Sequence, residues 1–199
     1  MIQSKAVVCG HITLPQFTGH QSMIPFDLET LAGLPQEFVK ITADLTAHLK
    51  TKVGTAFFTI HGKTLKAGQT LRRPGPHTDG SYDKTVLDWN GGGGGGWKIG
   101  ENGPSMTSAE HARLYLNTHG GIILASNYAA CKGFVGEFKG IPGVGGDCSK
   151  LTLNEPFMLE ANKIYYGNNH FVHESLPMQD DVHRVFVRIT LPETHAYEH

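Results

Sequence analysis

The residues of this chain best suited to chemistry lie in the run Arg72-Arg73-Pro74-Gly75-Pro76-His77-Thr78-Asp79-Gly80. His77 and Asp79 stand two apart, so on an extended backbone both side chains point to the same side. A neutral imidazole and a carboxylate suit a first-row divalent ion. One distant His would complete the two-histidine, one-carboxylate set that holds Fe(II) and leaves coordination positions open. The best third ligand is His173, in Asn168-Asn169-His170-Phe171-Val172-His173-Glu174-Ser175. In a chain with 12 His, His-Thr-Asp taken alone equally fits a Pro/Gly-framed surface turn, so the spacing of the remaining residues has to decide.

After His173 comes a strand-like run, His183 to Leu191. Alternation puts Arg184, Phe186, Arg188 and Thr190 on one of its faces and Val185, Val187, Ile189 and Leu191 on the other. Two cations on one face are costly to bury without anions, and otherwise belong on a solvated face. Arg184 lies 11 residues past His173 and Arg188 lies 15 past it. Together with the earlier His-x-Asp, this pattern resembles the iron(II)/2-oxoglutarate-dependent dioxygenases, and the second Arg four positions after the first is similar to their taurine dioxygenase-like branch. The resemblance spans about residues 70 to 191; residues 1 to 50 carry no matching motif.

Several expectations follow from the resemblance. His77, Asp79 and His173 would hold Fe(II). 2-Oxoglutarate and O2 would be co-substrates, with succinate and CO2 released as an unactivated C–H bond is hydroxylated. Arg184 would take the far carboxylate of 2-oxoglutarate, and Arg188 would meet an acidic group of the substrate. Arg188-Ile189-Thr190 also looks like the Arg-x-Ser/Thr pair of other branches, which would reverse the two roles. Gly145-Gly146-Asp147 looks like a Gly-Gly-acid turn between the halves of the iron site, and is otherwise an ordinary turn. The expected substrate is a small molecule such as an amino acid. Alternatives are a protein side chain or nucleobase, or a cupin-like metal- or sugar-binding domain without 2-oxoglutarate turnover.

The elements that must position these groups read mostly as strands. Lys5 to Cys9 suggests a short strand, and residues 10 to 29, with Pro15, Gly19 and Pro25, read as irregular coil. Pro35 suits a helix start, and Phe38, Ile41, Leu45 and Leu49 recur at helical spacing, so a helix over Pro35 to Lys50 should lay one apolar stripe on a sheet. Strands are expected over Thr55 to Leu65, Gln69 to Arg73 and Thr85 to Trp89. Six glycines follow, Gly91 to Gly96, which suit a spacer or a lid over the site. Ser108 would cap a helix to about Asn117. Short strands are then expected over Gly121–Tyr128, Phe134–Phe138, Cys148–Leu153, Phe157–Glu160, Lys163–Tyr166, Phe171–Glu174 and His183–Leu191. The overall expectation is one mainly β domain over residues 1–199, a double-stranded β-helix (jelly roll, cupin-like) with one or two flanking helices.

Composition narrows the partners. Seventeen basic against eighteen acidic side chains give a net charge of −1, so no broad field draws nucleic acid or anionic membrane. Three cysteines at unrelated spacings fit free thiols in a reducing, cytoplasmic setting better than a disulfide framework. No stretch approaches the ~18 apolar residues of a membrane span.

Overall fold

The structure, a computed structural model, describes residues 1–79, 120–140, 142–143, 146–192 and 195–198. Its elements are β1 (Ile2–Ser4), β2 (Ala6–His11), β3 (Gly19–Asp27), α1 (Gln36–Thr46), β4 (Thr55–Leu65), β5 (Gly121–Ser126), β6 (Cys131–Phe134), β7 (Gly136–Phe138), β8 (Phe157–Leu159), β9 (Lys163–Asn168), β10 (Val172–Ser175) and β11 (Val182–Thr190). The protein is mainly β, and every strand pair is antiparallel. A six-stranded sheet runs β2-β9-β5-β11-β4-β3, a three-stranded sheet runs β10-β6-β8, and β1 pairs with β7. The expected strand Thr85–Trp89, the glycine run Gly91–Gly96 and the expected helix Ser108–Asn117 lie outside the described residues.

Alternation along β11 divides the core. Val185, Val187 and Ile189 join Phe58 and Ile60 of β4, Ile123 of β5 and Phe38, Ile41 and Leu45 of α1 in one cluster. Helix α1 thus lays its apolar stripe on one face of the large sheet, as the 3.6-residue spacing predicts. On the opposite face Phe186 joins Ile122, Leu124 and Tyr165 of the large sheet and Cys131 and Leu159 of the small one. The two sheets share this second core, an arrangement consistent with a β-sandwich.

Four expectations about local structure need correction. Residues 10 to 29 are not coil throughout, since β3 occupies Gly19–Asp27. Its Pro25 is tolerated because β3 is an edge strand, hydrogen-bonded to β4 alone. A register shift between Gln21 and Ile24 places Met23 in the left-handed region at φ 56°. Gln69 to Arg73 is not a strand: Gly68 turns at φ +83°, and the backbones of Gly68 and Gln69 bond that of Met178. Cys148 to Leu153 is a turn, because the Asp147 carboxylate accepts bonds from the Ser149 N–H and hydroxyl and competes with any ladder. The expected strand Phe134–Phe138 is two short strands, β6 and β7, interrupted at Val135. No helix among the described residues is long and apolar enough to cross a membrane.

Candidate metal centre

The small sheet is what brings the two halves of the site together. His77, far from His173 in sequence, exchanges both backbone hydrogen bonds with it at 2.9 Å, and so extends the small sheet beyond β10. On its other side the segment is held by Thr78 N–H donating to Gly146 O and Cys148 N–H donating to Pro76 O, each at 2.9 Å. Gly146 has φ +76°, and a Cβ there would stand 2.1 Å from Thr78 O. Only glycine fits that approach. Of the expected turn Gly145-Gly146-Asp147, Gly145 lies outside the described residues, and Gly146 and Asp147 serve as a backbone clamp on His77 and Thr78; Asp147 turns its carboxylate to Ser149.

One ligand atom each of His77, Asp79 and His173 lies within 4.8 Å of the others, and all three residues are buried. The imidazole orientations are set by the backbone. His77 Nδ1–H donates to Gly75 O at 2.8 Å and His173 Nδ1–H to Phe171 O at 3.1 Å. A proton fixed on Nδ1 leaves the lone pair on Nε2, the tautomer a metal requires. His173 Nε2 is 3.5 Å from Asp79 Oδ2. Burial, reinforced by His173, pushes the His77 pKa down to about 3, so this imidazole stays neutral without a metal. Two oriented imidazoles and one carboxylate match the donor set that holds a divalent first-row ion. Pairing across β10 completes the orientation: Glu174 faces the other way and forms an ion pair with its cross-strand neighbour Lys132.

Both arginines of β11 are fully buried at 0% exposure, on the same face as expected, and they differ in what they touch. Arg188 Nη1 lies 2.8 Å from Asp79 Oδ2, and its Nη2 lies 3.5 Å from the Met23 sulfur. Burial alone would raise the Asp79 pKa; the Arg188 charge beside it overcomes this and holds the carboxyl well below the usual range. Arg184 instead donates from Nε to Ser126 Oγ at 3.2 Å, from Nη1 to Ser175 Oγ at 3.1 Å and from Nη2 to Cys131 Sγ at 3.0 Å. These partners are neutral, and among the described residues no carboxylate neutralises Arg184. Its fork still holds one unused N–H on each terminal nitrogen. A buried guanidinium with only neutral partners is a strong receptor for a carboxylate.

The sequence reading places His77, Asp79, His173, Arg184 and Arg188 at one locus; the structure groups His77, Asp79 and His173 with Arg188 against Asp79, while Arg184 bonds Ser175, two residues from His173 on β10. It missed the partners of Arg184. Ser175 was within reach, since two residues after His173 on a strand means the same face; Ser126 and Cys131 come from other strands and carry no local signal. It also missed Arg72, whose guanidinium lies over the Phe186 ring, 5.5 Å from the centroid. His61 lies opposite His20 across the β3–β4 pair, with ring centroids 4.6 Å apart. No protein-family model, curated protein or solved structure matches the chain.

Proposed function

We propose that this protein is an Fe(II)- and 2-oxoglutarate-dependent dioxygenase that hydroxylates a small, acidic molecule. The carrying observation is one juxtaposition: three metal-type donors with both Nε2 atoms free, beside a fully buried arginine that has only neutral partners. The two unequal antiparallel sheets also suit a jelly roll, whose open end commonly carries such a site.

His77, Asp79 and His173 would hold the iron, which when bound supplies oxygen activation coupled to oxidative decarboxylation of 2-oxoglutarate. Arg184 would bind the far carboxylate of 2-oxoglutarate with its two unused N–H groups, while Ser126, Ser175 and Cys131 fix the plane of the fork. Arg188 holds Asp79 ionised and oriented. The Gly75 and Phe171 carbonyls keep the protons of both imidazoles off Nε2. Burial of the whole cluster excludes water from the reacting centre.

Anaerobic loading with Fe(II), followed by O2, 2-oxoglutarate and a panel of amino acids, peptides and nucleotides, tests the reading. The expected result is one iron per chain and succinate formation that is lost in His77→Ala, Asp79→Ala and His173→Ala. Iron binding without succinate under every condition would refute the dioxygenase and leave a metal-binding β domain.

A further inference from the structure

Charge around the site does not balance. Arg72, Arg184 and Arg188 bring three guanidiniums to one region, and among the described residues Asp79 is the carboxylate that faces them. Asp79 is taken by Arg188, and the reading above gives Arg184 to 2-oxoglutarate. Arg72 remains. Half-buried on the segment leading to His77, it has the Phe186 ring beneath it and, among the described residues, no hydrogen bond and no carboxylate in contact with it; Asp79, paired with Arg188, acts on it only through space. Burial first, and the Arg188 charge second, push its pKa down to about 10, outweighing the opposing pull of the Asp79 carboxylate.

A cross-strand row surrounds it. Phe186 of β11 pairs with His61 of β4, and His61 pairs with His20 of β3, so the three rings line one face of the large sheet. His61 Nδ1 is buried without a hydrogen-bond partner. Both imidazoles are disfavoured as cations, by burial first and also by Arg72; for His61 the pKa falls to about 4. From solvent inwards the row passes from exposed His20 to half-buried His61 to buried Phe186, with Arg72 over Phe186. It therefore offers an open approach, unmatched donors and an apolar floor leading towards Asp79.

We infer that Arg72, His61 and His20 form an anion subsite that binds the acidic group of the substrate, whose carbon skeleton lies along Phe186 towards the metal triad. The substrate is accordingly a small organic acid, held by Arg72 and not by Arg188, which is engaged with Asp79. The subsite stands on the geometry of these four residues; its assignment to substrate rests on the dioxygenase reading.

Two measurements separate those claims. First, inorganic sulfate is titrated into the metal-free full chain while the imidazole signals of His20 and His61 are followed by NMR. Both signals should move saturably with one dissociation constant, and the His61 pKa should rise as the anion offsets Arg72. Arg72→Gln should weaken sulfate binding at least about tenfold, and Arg72→Lys, which keeps the charge, should weaken it less. An unchanged amide spectrum in both variants checks the fold. Absence of a saturable shift, equal affinity in Arg72→Gln, or loss in Arg184→Gln alone would overturn the subsite. Second, small carboxylic acids and their methyl esters are compared as stimulants of succinate formation by the iron-loaded protein. Stimulation by acids and not by esters supports the substrate assignment. Equal stimulation by esters overturns it while leaving the anion subsite, and no succinate with any compound refutes the dioxygenase reading and the assignment together.

Discussion

Replacing Asp79 with Asn removes a charge and keeps the shape, and its consequence can be worked from one contact. Arg188 is fully buried, its Nη1 is 2.8 Å from Asp79 Oδ2, and its Nε has no partner. Removing one member of a buried pair leaves an uncompensated charge and typically costs 3–5 kcal/mol. A neutral amide still offers Arg188 an acceptor, so the lower end, about 3 kcal/mol, is expected for the metal-free protein. For a chain of this size that lowers Tm by roughly 6–12 °C. Urea unfolding of wild type, Asp79→Asn, Arg188→Met and the double variant forms a thermodynamic cycle. The double variant should be no less stable than Asp79→Asn, because Met removes the orphaned cation. Divalent metal at about a hundredfold excess over its Kd should add about 2.7 kcal/mol to wild type and nothing to Asp79→Asn. A wild-type midpoint in Asp79→Asn, or strict additivity in the cycle, would refute the pairing from which the electrostatic argument starts.

Other outcomes follow from the same geometry. Arg184→Gln should raise the KM for 2-oxoglutarate by roughly thirtyfold or more, the lower range for losing a buried charge-assisted pair, read from succinate formation at varied co-substrate. If Arg188→Gln alone does so, the two arginines exchange roles. Gly146→Ala forces a Cβ to within 2.1 Å of Thr78 O, and should reduce metal affinity about 10- to 100-fold by moving His77, measured by metal titration. Acid should destabilise the metal-free protein beginning near pH 6.5, well above the carboxylate range. The folded His77 pKa is lowered from 6.5 to about 3, so the unfolded chain binds a proton that the folded chain refuses, and stability falls as pH drops through that window. The span sets an upper bound of about 5 kcal/mol. Asp79, whose folded pKa is also depressed, contributes stability above the ordinary carboxylate range that is lost only at lower pH. Chemical unfolding from neutral pH downward, with His77→Ala as control, checks the slope.

What the sequence determined by itself rested on short periods where the pattern was strong. Phe38, Ile41 and Leu45 form the buried stripe of α1, and Thr55–Leu65 is strand β4 with those same bounds. Alternation along β11 put both arginines on one face and Val185, Val187 and Ile189 on the other. His77, Asp79 and His173 were legible as one candidate set of ligands because a metal needs particular atom types, and the two-residue step from His77 to Asp79 is itself geometry. Tertiary structure decided what depends on residues distant in sequence. Edge position allows β3 to contain Pro25, which local punctuation read as coil. The close approach of Gly146 to Thr78 turns an ordinary-looking turn into the clamp on His77. Partner choice separated the two arginines: Arg188 meets Asp79, and Arg184 meets Ser126, Cys131 and Ser175 from three different strands. No spacing in the chain encodes that difference, because it arises from strand order and from how two sheets share a core, and the same holds for the meeting of Arg72 with Phe186 and of His20 with His61.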